Sequence, residues 1–189
     1  MDTLAAGPKA VVPGWMLRPT FCRFGRDRSG ATAVEFALVA LPFFAFMFAI
    51  LETALMFFAG QTMDTAVTQA ARMIRTGQAQ QQGFDLAQFK TKICDQINVM
   101  MNCSGGLKLD VQKYTTFGSI DLTTPKDGAG NLNVTENYVP GHGSDIVVVR
   151  AYYEWPIVVN KLGNDLTNMP NGTHLMISTV AFRNEPFPW

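Results

Sequence analysis

Charged side chains are scarce in this 189-residue chain, where they make up 16% of all residues. The 15 basic and 15 acidic residues give a formal net charge of zero, so the chain lacks the basic excess that is typical of a nucleic-acid-binding domain. With 48% hydrophobic residues it also lacks the composition of an intrinsically disordered protein. The length predicts one modest globular domain with accessory segments.

The sequence patterns of common enzyme classes are also missing. No G-x-G-x-x-G, G-x-x-x-x-G-K-[ST] or G-x-S-x-G pattern occurs. His142, Ser144 and Asp145 are too close along the chain to form the usual catalytic relay, and their glycine-flanked sequence favours a turn. No C-x-x-C pair or neighbouring ligand set accompanies the cysteines, which argues against a metal site. We therefore predict a protein that is not an enzyme and that uses no cofactor and no metal.

Basic residues are concentrated at the N-terminus, ahead of a long uncharged stretch. Residues 1–30 contain five Lys or Arg and two Asp side chains, whereas residues 36–51 contain no charge. After a short polar break the apolar sequence continues to residue 59. A helix over 36–59 would measure about 36 Å, enough to cross a hydrocarbon core of about 30 Å. This pattern predicts a transmembrane helix whose basic leader stays in the cytoplasm.

Neither a buried core helix nor a cleaved secretory signal fits the apolar stretch as well as a membrane span does. A buried core helix of a soluble protein would not carry phenylalanine on every side, as this stretch does. A cleaved secretory signal would be shorter and would end in small residues, whereas here Phe57 and Phe58 precede Ala59. Glu52 interrupts the stretch: it either finds a partner inside the membrane or lies among the outer headgroups, and we favour the headgroups.

The junction between the leader and the helix has an ordered pattern, Arg-Asp-Arg-Ser-Gly over 26–30 and then Ala-Thr-Ala-Val-Glu-Phe over 31–36. Gly30 lets the backbone lie extended in a protease groove, and the carboxylate of Glu35 at the edge of the hydrocarbon needs a partner. This pattern resembles the processing site of type IV prepilins. The phenylalanine-rich span narrows the resemblance to TadE-like minor pilins or pseudopilins of tight-adherence (Tad) pilus systems, and segments as far as residue 187 resemble the same family.

The resemblance implies both a modification and a set of partners. A prepilin peptidase would cut between Gly30 and Ala31, and the new α-amine of Ala31 would pair with Glu35 of the same or an adjacent subunit. A solvated Glu35 beside Arg28 is the alternative. The implied partners are other Tad pilins and pseudopilins, the prepilin peptidase, the inner-membrane assembly platform and the lipid bilayer, with no nucleic acid. The implied location is the bacterial inner membrane, single-pass, with a cytoplasmic N-terminus, a periplasmic C-terminal domain and the extracellular pilus as a further destination.

Beyond the membrane, hydrophobic periodicity predicts a small α+β domain. One apolar stripe continues to Arg75, so we expect a single helix over 31–75, about 68 Å long, with Gly77 as its C-cap. Residues 78–83 are predicted to form a polar linker. A second helix begins at Asp85, which forms a capping box with Gln88.

Alternating residues predict strands at 107–112, 146–155 and 174–182. In the first strand Lys108, Asp110 and Gln112 are expected on a solvated face, and in the last strand Leu175 and Ile177 are expected on the apolar face. Residues 123–143 and 160–172 are predicted to be polar loops. The result is a pilin-like antiparallel sheet of three or four strands, covered by the end of the long helix.

Two of the three cysteines, Cys94 and Cys103, flank the end of the second helix, while Cys22 lies in the leader. In an oxidising compartment Cys94 and Cys103 can form a disulfide that closes a loop of about ten residues.

We divide the chain into a basic cytoplasmic leader (1–30), a transmembrane and amphipathic helix (31–76) and a periplasmic α+β domain (77–189). The favoured function is that of a minor pilin or pseudopilin in Tad pilus assembly, priming or tip structure. The alternative is a single-pass anchored periplasmic binding or scaffold module that is not incorporated into a filament.

Overall fold

The computed structural model describes residues 30–158 and 166–188. Residue contacts divide the chain into two compact units, Met1–Phe44 and Ala45–Trp189, and the first helix contributes residues to both. The basic leader, apart from Gly30, and most of the first half of the predicted loop 160–172 lie outside the described residues.

Four α-helices precede the sheet in the described part of the chain. They are α1 (Ala31–Arg75), α2 (Gln78–Gln81), α3 (Leu86–Ile97) and α4 (Cys103–Gly106). The predicted bounds of α1 are confirmed, and Gly77 follows it in the left-handed conformation with φ of 78°, which glycine adopts without steric cost. The predicted linker is wrong in part, because α2 forms one helical turn inside it.

The sheet contains β1 (Leu107–Tyr114), β2 (Asn137–Tyr138), β3 (Ile146–Pro156) and β4 (Thr173–Arg183). These strands lie in the order β2-β1-β3-β4. The pairs β1–β3 and β3–β4 are antiparallel, whereas β2 runs parallel to β1. The predicted α+β class is confirmed. The predicted antiparallel pairing is confirmed for β1, β3 and β4 and is wrong for the fourth strand, since two residues of the predicted loop 123–143 add a parallel edge strand.

One face of the sheet is covered by α1, as predicted, and also by α3. The α1 stripe includes alanines at 59, 66, 70 and 71 that are almost completely buried, and their small side chains let the helix backbone lie close to its neighbours. From α3, Phe89, Ile93 and Ile97 are buried in the same core. Each such large side chain contributes roughly 1.5–3 kcal/mol through burial. From the sheet, the core includes Leu107, Leu109, Val111, Val147, Val149, Ala151, Tyr153 and Met176.

The start of α3 is fixed by the predicted capping box. The Asp85 carboxylate accepts a 2.7 Å hydrogen bond from the Gln88 backbone N–H, and the Gln88 side chain accepts one of 3.0 Å from the Asp85 N–H. This arrangement satisfies two backbone donors that a helix start would otherwise leave without partners.

Within Ala45–Trp189, α1 is attached to the sheet at two levels. Near one end of β3, the Glu52 carboxylate accepts a hydrogen bond from the Val158 N–H. At the other end, the Arg75 carbonyl accepts a 2.9 Å bond from the Glu185 N–H, which satisfies one of the carbonyls left free at a helix C-terminus. This part of α1 therefore runs antiparallel to β3.

The second face of the sheet is also covered, which corrects two predictions. Asp110 is buried, not solvated, and lies opposite Arg150 in register. On β4 the residue that joins the core beneath α1 is Met176, while Ile177 is exposed. On the second face Leu175 is buried with Tyr152 and Met169, so the expectation of an apolar environment is confirmed for Leu175 and wrong for Ile177.

Candidate processing and assembly site

The predicted cleavage junction lies at the start of α1. Gly30 is exposed and immediately precedes the helix, and its carbonyl accepts a 3.1 Å hydrogen bond from the Val34 N–H. No heavy atom lies within 4 Å of the position that a Cβ on Gly30 would occupy, and its backbone does not have a positive φ. Neither packing nor a positive φ in the described fold therefore requires glycine at this position.

Glu35 is exposed on α1, one helical turn after Ala31. Residues four apart lie on the same side of a helix. The Glu35 side chain is therefore on the same side of α1 as Ala31, whose α-amine would become free if the chain were cut after Gly30. In the part of the chain that the structure describes, no ion pair involves Glu35. Its alternative partner, Arg28, lies outside the described residues.

The surface around and beyond Glu35 is apolar and open. An 18-residue window of α1 has a mean hydropathy of 2.3, and none of it is buried within the chain. A surface of this kind requires lipid or other apolar helices around it. Within residues 30–158 and 166–188, one helix is long and apolar enough to cross a bilayer, which fits a single-pass membrane anchor. Its exposed large side chains include Phe36, Leu38, Val39, Leu41, Phe43, Phe44, Phe46, Phe48, Ile50, Leu51, Leu55, Phe57 and Phe58.

Glu52 differs from Glu35 in its surroundings. Its side chain is buried, and its carboxylate is held by the backbone N–H of Val158. Glu52 therefore has a hydrogen-bond partner in its own chain, and its position among the outer headgroups stays a prediction. The contact joins residues 106 positions apart, which no local sequence pattern could reveal.

The structure brings Cys94 and Cys103 together as a disulfide. Their Cα atoms are 5.6 Å apart, within the range that a disulfide requires. The bond joins the last turns of α3 to the start of α4. Close by, the Tyr153 hydroxyl accepts a 3.2 Å hydrogen bond from the Asn102 N–H, so β3 is tied to the same corner.

The His142, Ser144 and Asp145 cluster forms the predicted turn. The Asp145 carboxylate accepts a 2.9 Å hydrogen bond from the His142 backbone N–H. This hydrogen bond is the main reason why the pKa of Asp145 is lowered, with Lys113 nearby adding to the effect. Among the described residues, no group of three or more His, Cys, Asp and Glu side chains could hold a metal ion.

Two polar clusters were missed by sequence reasoning. In one, the Arg150 guanidinium lies 2.7 Å from the Asp110 carboxylate, and both side chains are nearly buried. In the other, Glu136 accepts 3.1 Å hydrogen bonds from Lys90 Nζ and from the Leu109 N–H. Partial burial opposes ionisation of Glu136, but these two donors outweigh it and lower its pKa. For the first cluster the sequence did contain a signal, because Arg150 is a charged residue inside the apolar run 146–152 and therefore needs a buried partner.

Comparison with known families agrees with the junction pattern. Residues 30–72 match a family model described as TadE-like protein. This confirms the predicted resemblance over the junction and most of α1, while the likeness predicted for later segments remains a prediction. No curated protein and no solved structure matches the chain significantly.

Proposed function

We propose that this chain, TadE-like over residues 30–72, is a minor pilin or pseudopilin of a Tad pilus system. The TadE-like family supplies structural components of such systems, which associate with other Tad pilus components. In this proposal α1 anchors the precursor in the inner membrane, a prepilin peptidase cuts after Gly30, and the processed subunit takes part in priming or tip structure. The domain that follows α1 faces the periplasm.

The observation that carries the proposal is the junction itself. Gly30 is exposed and has open space around it, so its lack of a side chain is not explained by packing or by a positive φ. A protease that needs an extended, unobstructed backbone explains it. The small residues Ala31 and Ala33 on the other side of the bond serve the same requirement.

Glu35 supplies the second step of the proposal. An unpaired carboxylate in hydrocarbon costs several kcal/mol, and Glu35 is surrounded by the exposed apolar side chains Val34, Phe36 and Leu38. Cleavage creates a positive α-amine on Ala31 that can neutralise the carboxylate of a neighbouring subunit. Pairing of this kind sets the axial register between adjacent helices, because one residue in each helix has a defined partner.

An assembly assay tests the role of Glu35. Glu35→Ala and Glu35→Gln should both leave membrane insertion unchanged, because both leave the apolar span 36–59 intact. Both should strongly reduce co-purification with the other Tad pilins, and Glu35→Asp should restore part of it. Asp64→Ala is the matched control, since it removes an exposed carboxylate from the same helix at a position far from the Gly30–Ala31 junction. Normal co-purification of Glu35→Gln would refute the pairing.

A further inference from the structure

An open apolar groove lies where the end of β3 meets α1. Its volume is about 650 Å³. One wall belongs to the apolar half of α1 and the other to the last residues of β3 and the two that follow. The lining residues are Phe48, Leu51, Glu52, Leu55, Trp155, Pro156 and Val158.

Glu52 holds the two walls of the groove together. Its buried carboxylate accepts the hydrogen bond from the Val158 N–H, so residues 155–158, which we name the β3 tip, are fixed against the helix. The apolar side chains around this hydrogen bond remain exposed, since Val158 is 82% exposed and Leu55 is 53% exposed. A polar contact thus positions an apolar surface that nothing in the described chain covers.

Bilayer dimensions place this groove relative to the lipid. A hydrocarbon core of about 30 Å takes about 20 helical residues. Counted from Phe36, the first residue after Glu35, the core ends near residue 55. The helix wall of the groove, residues 48–55, therefore belongs to the half of the span that is farther from the cytoplasm. Since the β3 tip contacts this wall, it lies at the same depth.

We propose that the β3 tip enters the outer leaflet and that the groove binds a phospholipid acyl chain. This inference rests on the membrane anchor of the proposed function. Lipid is the occupant because the groove surface is continuous with the exposed apolar face of α1, and because its one carboxylate is already hydrogen-bonded within the chain. Trp155, which lines the groove, is also the residue type that is enriched where hydrocarbon meets headgroups.

Tryptophan quenching tests the proposal in the full chain, reconstituted in phosphatidylethanolamine and phosphatidylglycerol vesicles with or without brominated acyl chains. In a Trp15→Phe, Trp189→Phe background, Trp155 is the only tryptophan. We expect its emission to be blue-shifted and strongly quenched by the brominated lipid. Emission like that of a water-exposed tryptophan, with no quenching, would overturn the proposal.

Two reporters in a tryptophan-free background, with Trp155→Phe added, separate this inference from the anchor. Phe46→Trp reports the span itself, because Phe46 is a 70% exposed residue of α1. Phe117→Trp reports the opposite end of the sheet. Phe117 follows the end of β1, whose last residue pairs with Ile146 at the start of β3. The start of β3 lies about 30 Å from Pro156 at its other end. Trp155 should lose a fraction of its emission close to that of Phe46→Trp and well above that of Phe117→Trp.

The quenching of the three tryptophans together shows whether the membrane anchor or the lipid groove is refuted. An unquenched Phe46→Trp would refute the anchor of the proposed function. A quenched Phe46→Trp with Trp155 resembling Phe117→Trp would leave the anchor in place and overturn the lipid groove. If Trp155 is shielded from brominated lipid and Val158→Cys forms a disulfide-linked dimer in the vesicles, the groove belongs to a second copy of the chain, and the lipid proposal is again overturned.

Discussion

The stability of the domain should depend strongly on one ion pair between the two central strands. Arg150 of β3 lies 2.7 Å from Asp110 of β1, and its other guanidinium nitrogen donates a 2.8 Å hydrogen bond to the Asp121 carbonyl. The Asp110 side chain is 6% exposed and the Arg150 side chain 11%. Asp110→Ala would leave the Arg150 charge nearly buried without its bonded carboxylate, and the nearby Asp121 carboxylate is exposed, so water screens its charge.

The expected loss follows from this burial. Removing one partner of a buried ion pair costs about 3–5 kcal/mol, because the remaining charge loses both its water and its counterion. For a chain of this size 1 kcal/mol corresponds to about 2–4 °C in Tm, so Asp110→Ala should lower Tm by about 6–20 °C. Replacing both residues, as Asp110→Leu with Arg150→Met, should recover much of the loss because no buried charge remains.

Near-UV circular dichroism of the detergent-solubilised full chain is the suitable assay, since the signal of aromatic residues in the sheet is lost when the domain unfolds. Far-UV signal is unsuitable, because α1 stays helical in detergent. Glu154→Ala is the control: it removes a β3 carboxylate that is more exposed and whose partner is the neutral Asn171. A Tm change for Asp110→Ala no larger than that of Glu154→Ala would refute this reasoning.

Two further predictions concern pH and redox state. The folded pKa of Glu136 is lowered from its ordinary value of 4.5. The stabilising effect of the ionised carboxylate is therefore present above pH 4.5 and is lost as the pH falls through the folded pKa. The Tm difference between the wild type and Glu136→Gln should shrink below about pH 4.5, and a difference that does not change with pH would contradict this assignment. Reduction of Cys94–Cys103 should lower stability by about 3 kcal/mol, the chain-entropy value for a loop of about ten residues; unfolding with and without reductant measures this, and a Cys94→Ala, Cys103→Ala variant that does not respond to reductant is the control.

Local patterns predicted the bounds of α1 and the start of α3 for identifiable reasons, whereas the single-turn helices α2 and α4 were not predicted. The stripe that ends at Arg75 and the glycine at 77 fixed the end of α1, and the reciprocal bonds of Asp85 and Gln88 fixed the start of α3. Each of these signals lies within a few residues of the boundary that it sets. The apolar span and the junction at Gly30 were readable for the same reason.

Features that depend on distant partners were not predictable in this way. Asp110 alternates with apolar neighbours and was assigned to solvent, but strand register places it opposite Arg150. The contact between Glu52 and Val158 joins two segments through the fold. Strand β2 contains two residues, too few to show a period. In each case the deciding information is the pairing of elements and not the pattern within one element.

The most direct test of the proposed processing is the N-terminal sequence of the mature protein, read by mass spectrometry after membrane extraction from cells that contain the pilus peptidase. We predict a chain that begins at Ala31 and a Gly30→Val variant that keeps its leader. An intact leader on the wild-type protein in the presence of the peptidase would contradict the proposed function and favour the anchored module that never joins a filament.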